Sequence, residues 1–234
     1  GSGTASANVN STPLTIPIAP TGLSTTPSDT QISVAFTPPL NNGGSTITNY
    51  EYSTDGGTSW AAFSPTDTNS PVVITGLTNG TAYAIGLRAV NAAGSGAASV
   101  SVNATPMTIA SAPTNLIATA GDAQVSVAFA LPSNNGGSTI TNYEYSKDGG
   151  TSWAALSPTD TSSPVAITGL TNGTTYAIGL RAVNAAGAGT ASANVISTPL
   201  AIPSAPTGLI VTVGDAQVSV AFTPSSSNGG STIT

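Results

Sequence analysis

Gln31-Ile32-Ser33-Val34-Ala35-Phe36-Thr37 alternates apolar and polar side chains. An extended backbone therefore sends Ile32, Val34 and Phe36 to one face and the rest to the other. Tyr83-Ala84-Ile85-Gly86-Leu87-Arg88-Ala89 repeats the pattern, with Tyr83, Ile85, Leu87 and Ala89 inward. Shorter segments of strand character run from Leu23 to Thr26, Ile47 to Ser53, Val72 to Thr75 and Ala97 to Val102. Turn chemistry separates them at Asn41-Asn42-Gly43-Gly44, Asp55-Gly56-Gly57, Thr78-Asn79-Gly80 and Ala93-Gly94-Ser95-Gly96. No stretch joins helix-forming residues to an apolar stripe of helical period. About seven short strands in roughly 90 residues is the pattern of an all-β sandwich.

The pattern recurs. Ala19-Pro20-Thr21-Gly22-Leu23 returns as Ala112-Pro113-Thr114-Asn115-Leu116 and as Ala205-Pro206-Thr207-Gly208-Leu209, at a constant offset of 93 residues. Between Asn41 and Asn91 only five positions differ from the next copy: Thr54/Lys147, Phe63/Leu156, Asn69/Ser162, Val73/Ala166 and Ala82/Thr175. A period this long means tandem domains, each a complete folding unit, rather than turns of a solenoid. The sequence divides into the C-terminal strand and linker of a partial repeat over 1–19, full repeats over 20–112 and 113–205, and the N-terminal strands of a second partial repeat over 206–234. Neither partial piece is large enough to bury a core alone. The register leads us to expect a window on a longer array. The alternative is that the two ends complete each other between molecules by strand addition.

Charged residues make up 5% of the chain, against about 25% in an ordinary globular domain. The basic ones are Arg88, Lys147 and Arg181, and the net charge is −6. That leaves no basic stripe for phosphate, so nucleic acid is not an expected partner. Cysteine and histidine are both absent. Disulfides, thiolate chemistry, zinc sites and the usual Ser-His or Cys-His activation go with them. No apolar run is long enough for a membrane helix, so no membrane insertion is expected in this segment. A neutral surface rich in hydroxyls and amides, with three tryptic sites, suits a protein that lives outside the cell among proteases.

Val34-Ala35-Phe36-Thr37-Pro38-Pro39, Ile47-Thr48-Asn49-Tyr50-Glu51-Tyr52, Gly76-Leu77-Thr78-Asn79-Gly80-Thr81-Ala82-Tyr83 and Leu87-Arg88-Ala89-Val90-Asn91-Ala92-Ala93-Gly94 together resemble a fibronectin type III domain. The nearest likeness is to the tandem copies of large bacterial secreted and cell-surface proteins. The resemblance implies seven-stranded Ig-like β-sandwiches in an extended, semi-rigid array. The family's second-strand Trp is replaced by Phe36, Phe129 and Phe222, a core change of similar size. Tyr83 and Tyr176 match the family's tyrosine corner, whose hydroxyl bonds a nearby backbone group, and Leu77 and Leu170 fill that corner. Pro20, Pro113 and Pro206 suit an edge strand that tolerates a missing donor. The loop from Asn91 to Gly96 aligns with the one that carries Arg-Gly-Asp in integrin-binding members, and that tripeptide is absent.

Two sets of residues bear on surface chemistry. Gly86 and Gly179 stand on the outward side of a central strand, where a glycine marks close approach by another group. Trp60 and Trp153 are placed to lie over them, with Arg88 and Arg181 bordering the indoles and Arg88 pairing with Glu51 across the sheet. One reading makes each Trp an intradomain cover. The other makes it an exposed platform for a sugar or a protein. The acids Asp29, Glu51, Asp55, Asp67, Asp122, Glu144, Asp148, Asp160 and Asp215 are spread singly, so no metal site is expected. Glu51 and Asp55 lie on a structural hairpin and do not suit glycoside cleavage. No catalytic residue and no cofactor is expected. Sequons stand at Asn10, Asn79, Asn103 and Asn172; those at Asn79 and Asn172 read first as turns.

The resemblance implies a non-enzymatic fibre, stalk or spacer at a bacterial surface, with neighbouring repeats or other copies of the chain as partners. A multivalent adhesin for glycans or host matrix, and a linker of a secreted polysaccharide-degrading enzyme, are the alternatives.

Overall fold

Alternation becomes strand pairing in the computed structural model, which describes Thr4 and residues 13–234. The expected strand within residues 1–19 and the sequon at Asn10 lie outside the described residues. The chain divides into two units, Gly1–Thr108 and Ile109–Thr234.

In the first unit the strands are β1 (Thr21–Ser28), β2 (Gln31–Thr37), β3 (Asn49–Ser53), β4 (Ala61–Ala62), β5 (Val72–Thr75), β6 (Tyr83–Asn91), β7 (Gly94–Ser95) and β8 (Val102–Ala104). One sheet has the order β1-β2-β5; the other runs β4-β3-β6-β7, with β8 on the same side of β6 as β7. Every pairing between these strands is antiparallel. Period two on β2 and β6 buries Ile32, Val34, Ile85, Leu87 and Ala89 completely, with Phe36 and Tyr50 beside them. The Phe36 and Tyr50 rings meet edge to face at 4.6 Å, a favourable arrangement of their quadrupoles.

The second unit repeats this with β9 (Thr114–Gly121), β10 (Gln124–Ala130), β11 (Asn142–Ser146), β12 (Ala154–Ala155), β13 (Val165–Thr168), β14 (Tyr176–Asn184), β15 (Gly187–Ala188) and β16 (Val195–Ser197). Its core centres on Val125, Val127, Phe129, Tyr143, Ile178 and Leu180. A further hairpin, β17 (Thr207–Gly214) and β18 (Gln217–Thr223), follows. The third-repeat residues Val220 and Phe222 are exposed, whereas Val34, Phe36, Val127 and Phe129 at the matching places are buried.

Three details differ from the sequence reading. Of the strand expected over 97–102 only Val102 is in a strand, β8, which runs on to Ala104; residues 97–101 leave the regular ladder because it runs through a side chain there: Leu87 N–H donates to Ser99 Oγ, and Ser99 N–H donates to Leu87 O. The turn expected at Ala93-Gly94-Ser95-Gly96 falls at Ala92-Ala93, and Gly94 and Ser95 pair as β7. Pro20, Pro113 and Pro206 sit one residue before β1, β9 and β17 rather than within them. A residue without an N–H is accommodated best outside the ladder.

Candidate functional site

The strongest constellation stands on the outer face of β3 and β6. Their register sets Glu51 opposite Arg88 and Ser53 opposite Gly86. Arg88 Nε donates to Glu51 Oε2 at 2.5 Å, and Ser95 Oγ donates to the same oxygen at 3.0 Å. The Arg88 guanidinium carbon stands 4.5 Å from the Trp60 ring centre, and the indole Nε1–H donates to Gly57 O. A Cβ at Gly86 would come within 3.5 Å of Trp60 Cη2. The glycine thus leaves the indole edge room to lie against the sheet, and Trp60 is half-buried.

The second repeat carries the same set. Arg181 pairs with Glu144, and its guanidinium stands 4.5 Å from the Trp153 ring centre. Trp153 Cη2 would lie 3.4 Å from a Cβ at Gly179, and Asn194 Oδ1 would be closer still. Ala188 stands where the first repeat has Ser95, so Glu144 lacks that hydroxyl donor. The arrangement is a stacked, hydrogen-bonded ladder with apolar and cationic character.

The hairpin beside the ladder is held by Asp55. Its carboxylate accepts from the Ser59 hydroxyl and backbone N–H and from the Ser53 hydroxyl. The Ser59 hydroxyl is the largest of the causes that keep this carboxyl well below the usual range, and Ser152 does the same for Asp148. Among the described residues, no three acidic, histidine or cysteine side chains gather to hold a metal. Among the described residues, no helix is long and apolar enough to cross a membrane.

The corner residues stand where the core meets a turn. Thr78 N–H donates to the Tyr83 hydroxyl, and Thr171 N–H to that of Tyr176, each at 3.0 Å. Leu170 is buried, and Leu77 packs partly buried against its core. Asn79 at the sequon bolts two turns together: Nδ2 donates to Asp29 Oδ1, and Oδ1 accepts from Thr30 N–H. Asn172 does so with Asp122 and Ala123. Asn103 is exposed on β8.

Asn91 had no assigned role in the sequence. Its nearly buried side chain donates to Thr15 O and Asn42 O and accepts from Ala93 N–H. It seats the segment before Pro20, where Thr15 N–H also donates to Gly43 O and Ala97 N–H to Pro17 O. The signal for it is an amide at the end of an otherwise apolar strand, repeated as Asn184.

The profile of the fibronectin type III domain matches residues 19–105 and 111–198. A search of the curated proteins finds no match. Among solved structures, the chain is similar to the FN1–FN3 domains of chicken CNTN1, at 18% identity over 79% of this chain and 68% of that one, with a TM-score of 0.45. Two profile matches spanning most of the sequence, each on its own pair of packed sheets, place the chain in the fibronectin type III family as two tandem domains.

Proposed function

We propose that the chain is a non-enzymatic structural repeat of an extracellular fibre, stalk or spacer, belonging to a large secreted or surface protein of a bacterium. Tandem fibronectin type III domains fit a structural or linker role. The observation that carries the reading is equivalence. The Trp-Arg-Glu ladder, the tyrosine corner and the asparagine bolts recur with nearly the same distances in both repeats. A receptor site needs one specialised copy, whereas a spacer needs each copy to fold and none to differ. A surface rich in hydroxyls and amides and poor in tryptic sites supports life outside the cell, and neighbouring repeats or further copies are its partners.

An antibody against this chain, used for immunogold labelling of intact source cells, tests the placement. Labelling of filaments or the outer surface is the expected result; label confined to the interior overturns it. The adhesin reading has one favouring observation, the duplicated Trp60 and Trp153 ladders, since two weak sites gain by avidity. Binding of the full chain to a glycan or matrix array, lost in the Trp60→Ala, Trp153→Ala double variant, would decide for adhesion.

A further inference from the structure

Within the second unit, the turn at Thr171-Asn172-Gly173 meets the loop Asn228-Gly229-Gly230 of the following repeat, backbone against backbone. A Cβ on Gly173 would stand 2.9 Å from Gly230 O and 3.1 Å from Gly230 Cα. A Cβ on Gly230 would stand 2.5 Å from Gly173 N and 2.8 Å from Asn172 C. Gly229 faces Ala201 O so closely that it too excludes a side chain. All three glycines have positive φ, at 82°, 89° and 67°. Each therefore meets a conformational and a steric demand that only glycine satisfies together.

Both partners are held in place before they meet. Thr171 N–H is fixed on the Tyr176 hydroxyl, Asn172 on Asp122 and Ala123, and Gly173 N–H on Pro199 O. On the other side, Gly230 N–H donates to Asn228 Oδ1. The connecting segment is tied in both directions: Leu200 N–H donates to Gly121 O of one repeat, while Ala201 N–H donates to Gly229 O and Ser204 N–H to Ser227 O of the next.

We propose that the Thr171–Gly173 turn, which meets Gly230, and the connecting segment at Ala201, which meets Gly229, together form a docking site for the next repeat, selective for a loop that presents two consecutive left-handed glycines. The sequon's asparagine is the bolt that orients this site, and its amide nitrogen is committed to Asp122. The turn serves as a joint that sets how one repeat carries the next, whether or not the array stands outside a cell.

Residue-resolved hydrogen exchange on the full chain tests this. In the unsubstituted protein, the Leu200 and Ala201 amides should exchange at least tenfold slower than in an unstructured peptide. Gly230→Ala and Gly173→Ala should each abolish that protection while the Leu180 amide of the repeat core stays protected. Gly169→Ala supplies the control: φ there is 71° and no atom lies within 4 Å of an added Cβ, so it strains the backbone without touching a joint. It should leave Leu200 and Ala201 unchanged. Unprotected amides in the unsubstituted chain, or equal exchange in Gly230→Ala and Gly169→Ala, would overturn the proposal.

Discussion

The guanidinium of Arg88 is shared between the Trp60 ring, 4.5 Å from its centre, and the carboxylate of Glu51. Stacking of a cation on an indole near the surface contributes about 0.5–1 kcal/mol, and a surface ion pair a similar or smaller amount. Arg88→Met keeps the stem that covers the ring and removes the charge. It should lower the stability of the first repeat by about 1 kcal/mol and shift indole emission to the red. An unchanged urea midpoint with unchanged emission would show that the stack contributes nothing.

Tyr143 and Tyr176 make opposite use of a hydroxyl. The Tyr143 hydroxyl is buried with no hydrogen-bond partner among the described residues, and its burial pushes the phenol pKa up. The Tyr176 hydroxyl accepts from Thr171 N–H. An unsatisfied buried hydroxyl costs roughly 1–3 kcal/mol, while a satisfied one contributes about 1 kcal/mol. Tyr143→Phe should therefore stabilise the second repeat and Tyr176→Phe destabilise it, each by about 1 kcal/mol. Tyr83→Phe should cost about as much in the first repeat, where Thr78 N–H loses its acceptor. Exchange of the Leu180 amide, which reports opening of the whole repeat, measures the second-repeat effects. Two changes of the same sign would refute the contrast.

Ala123 adopts φ 52° in the turn between β9 and β10, where Thr30 and Ala216 hold the equivalent places at 54° and 55°. A side chain in the left-handed region costs roughly 1–2 kcal/mol, which glycine avoids. Glycine's greater freedom in the unfolded chain offsets part of that. Ala123→Gly completes an Asp122-Gly turn and keeps the N–H donated to Asn172 Oδ1. It should raise the stability of the second repeat by about 0.5 kcal/mol, read from the same Leu180 amide.

The sandwich was legible because alternation fixes which side of a strand is buried. Ile32, Val34 and Phe36 follow directly from it, and the fixed offset carries the result to Val125, Val127 and Phe129. The ladder was legible in part, since a glycine beside an arginine on one strand implies a covering group. Ser99 was not, because a hydroxyl that completes a backbone ladder looks in sequence like any surface serine. Nor were the glycines at 173, 229 and 230. A turn glycine signals its own φ, but not the second backbone that approaches it.

Acid should loosen the hairpins before the cores. Hydrogen bonds from Ser59 and Ser53 hold the Asp55 carboxyl below its ordinary value of 3.8, and Ser152 and Ser146 do the same for Asp148. A group whose folded pKa is depressed stabilises the native state above its unfolded pKa, and that contribution fades as pH falls through the folded one. Thermal stability should thus be level from neutral pH to about pH 5, then decline below about pH 4. Asp55→Asn and Asp148→Asn keep one acceptor oxygen and remove the titration, so the double variant should show a shallower decline between about pH 4 and pH 2. Melts at successive pH values decide it: parallel curves for the two proteins would assign the acid response to other carboxylates, of which Asp160, held low by the Ser162 hydroxyl and N–H, is next.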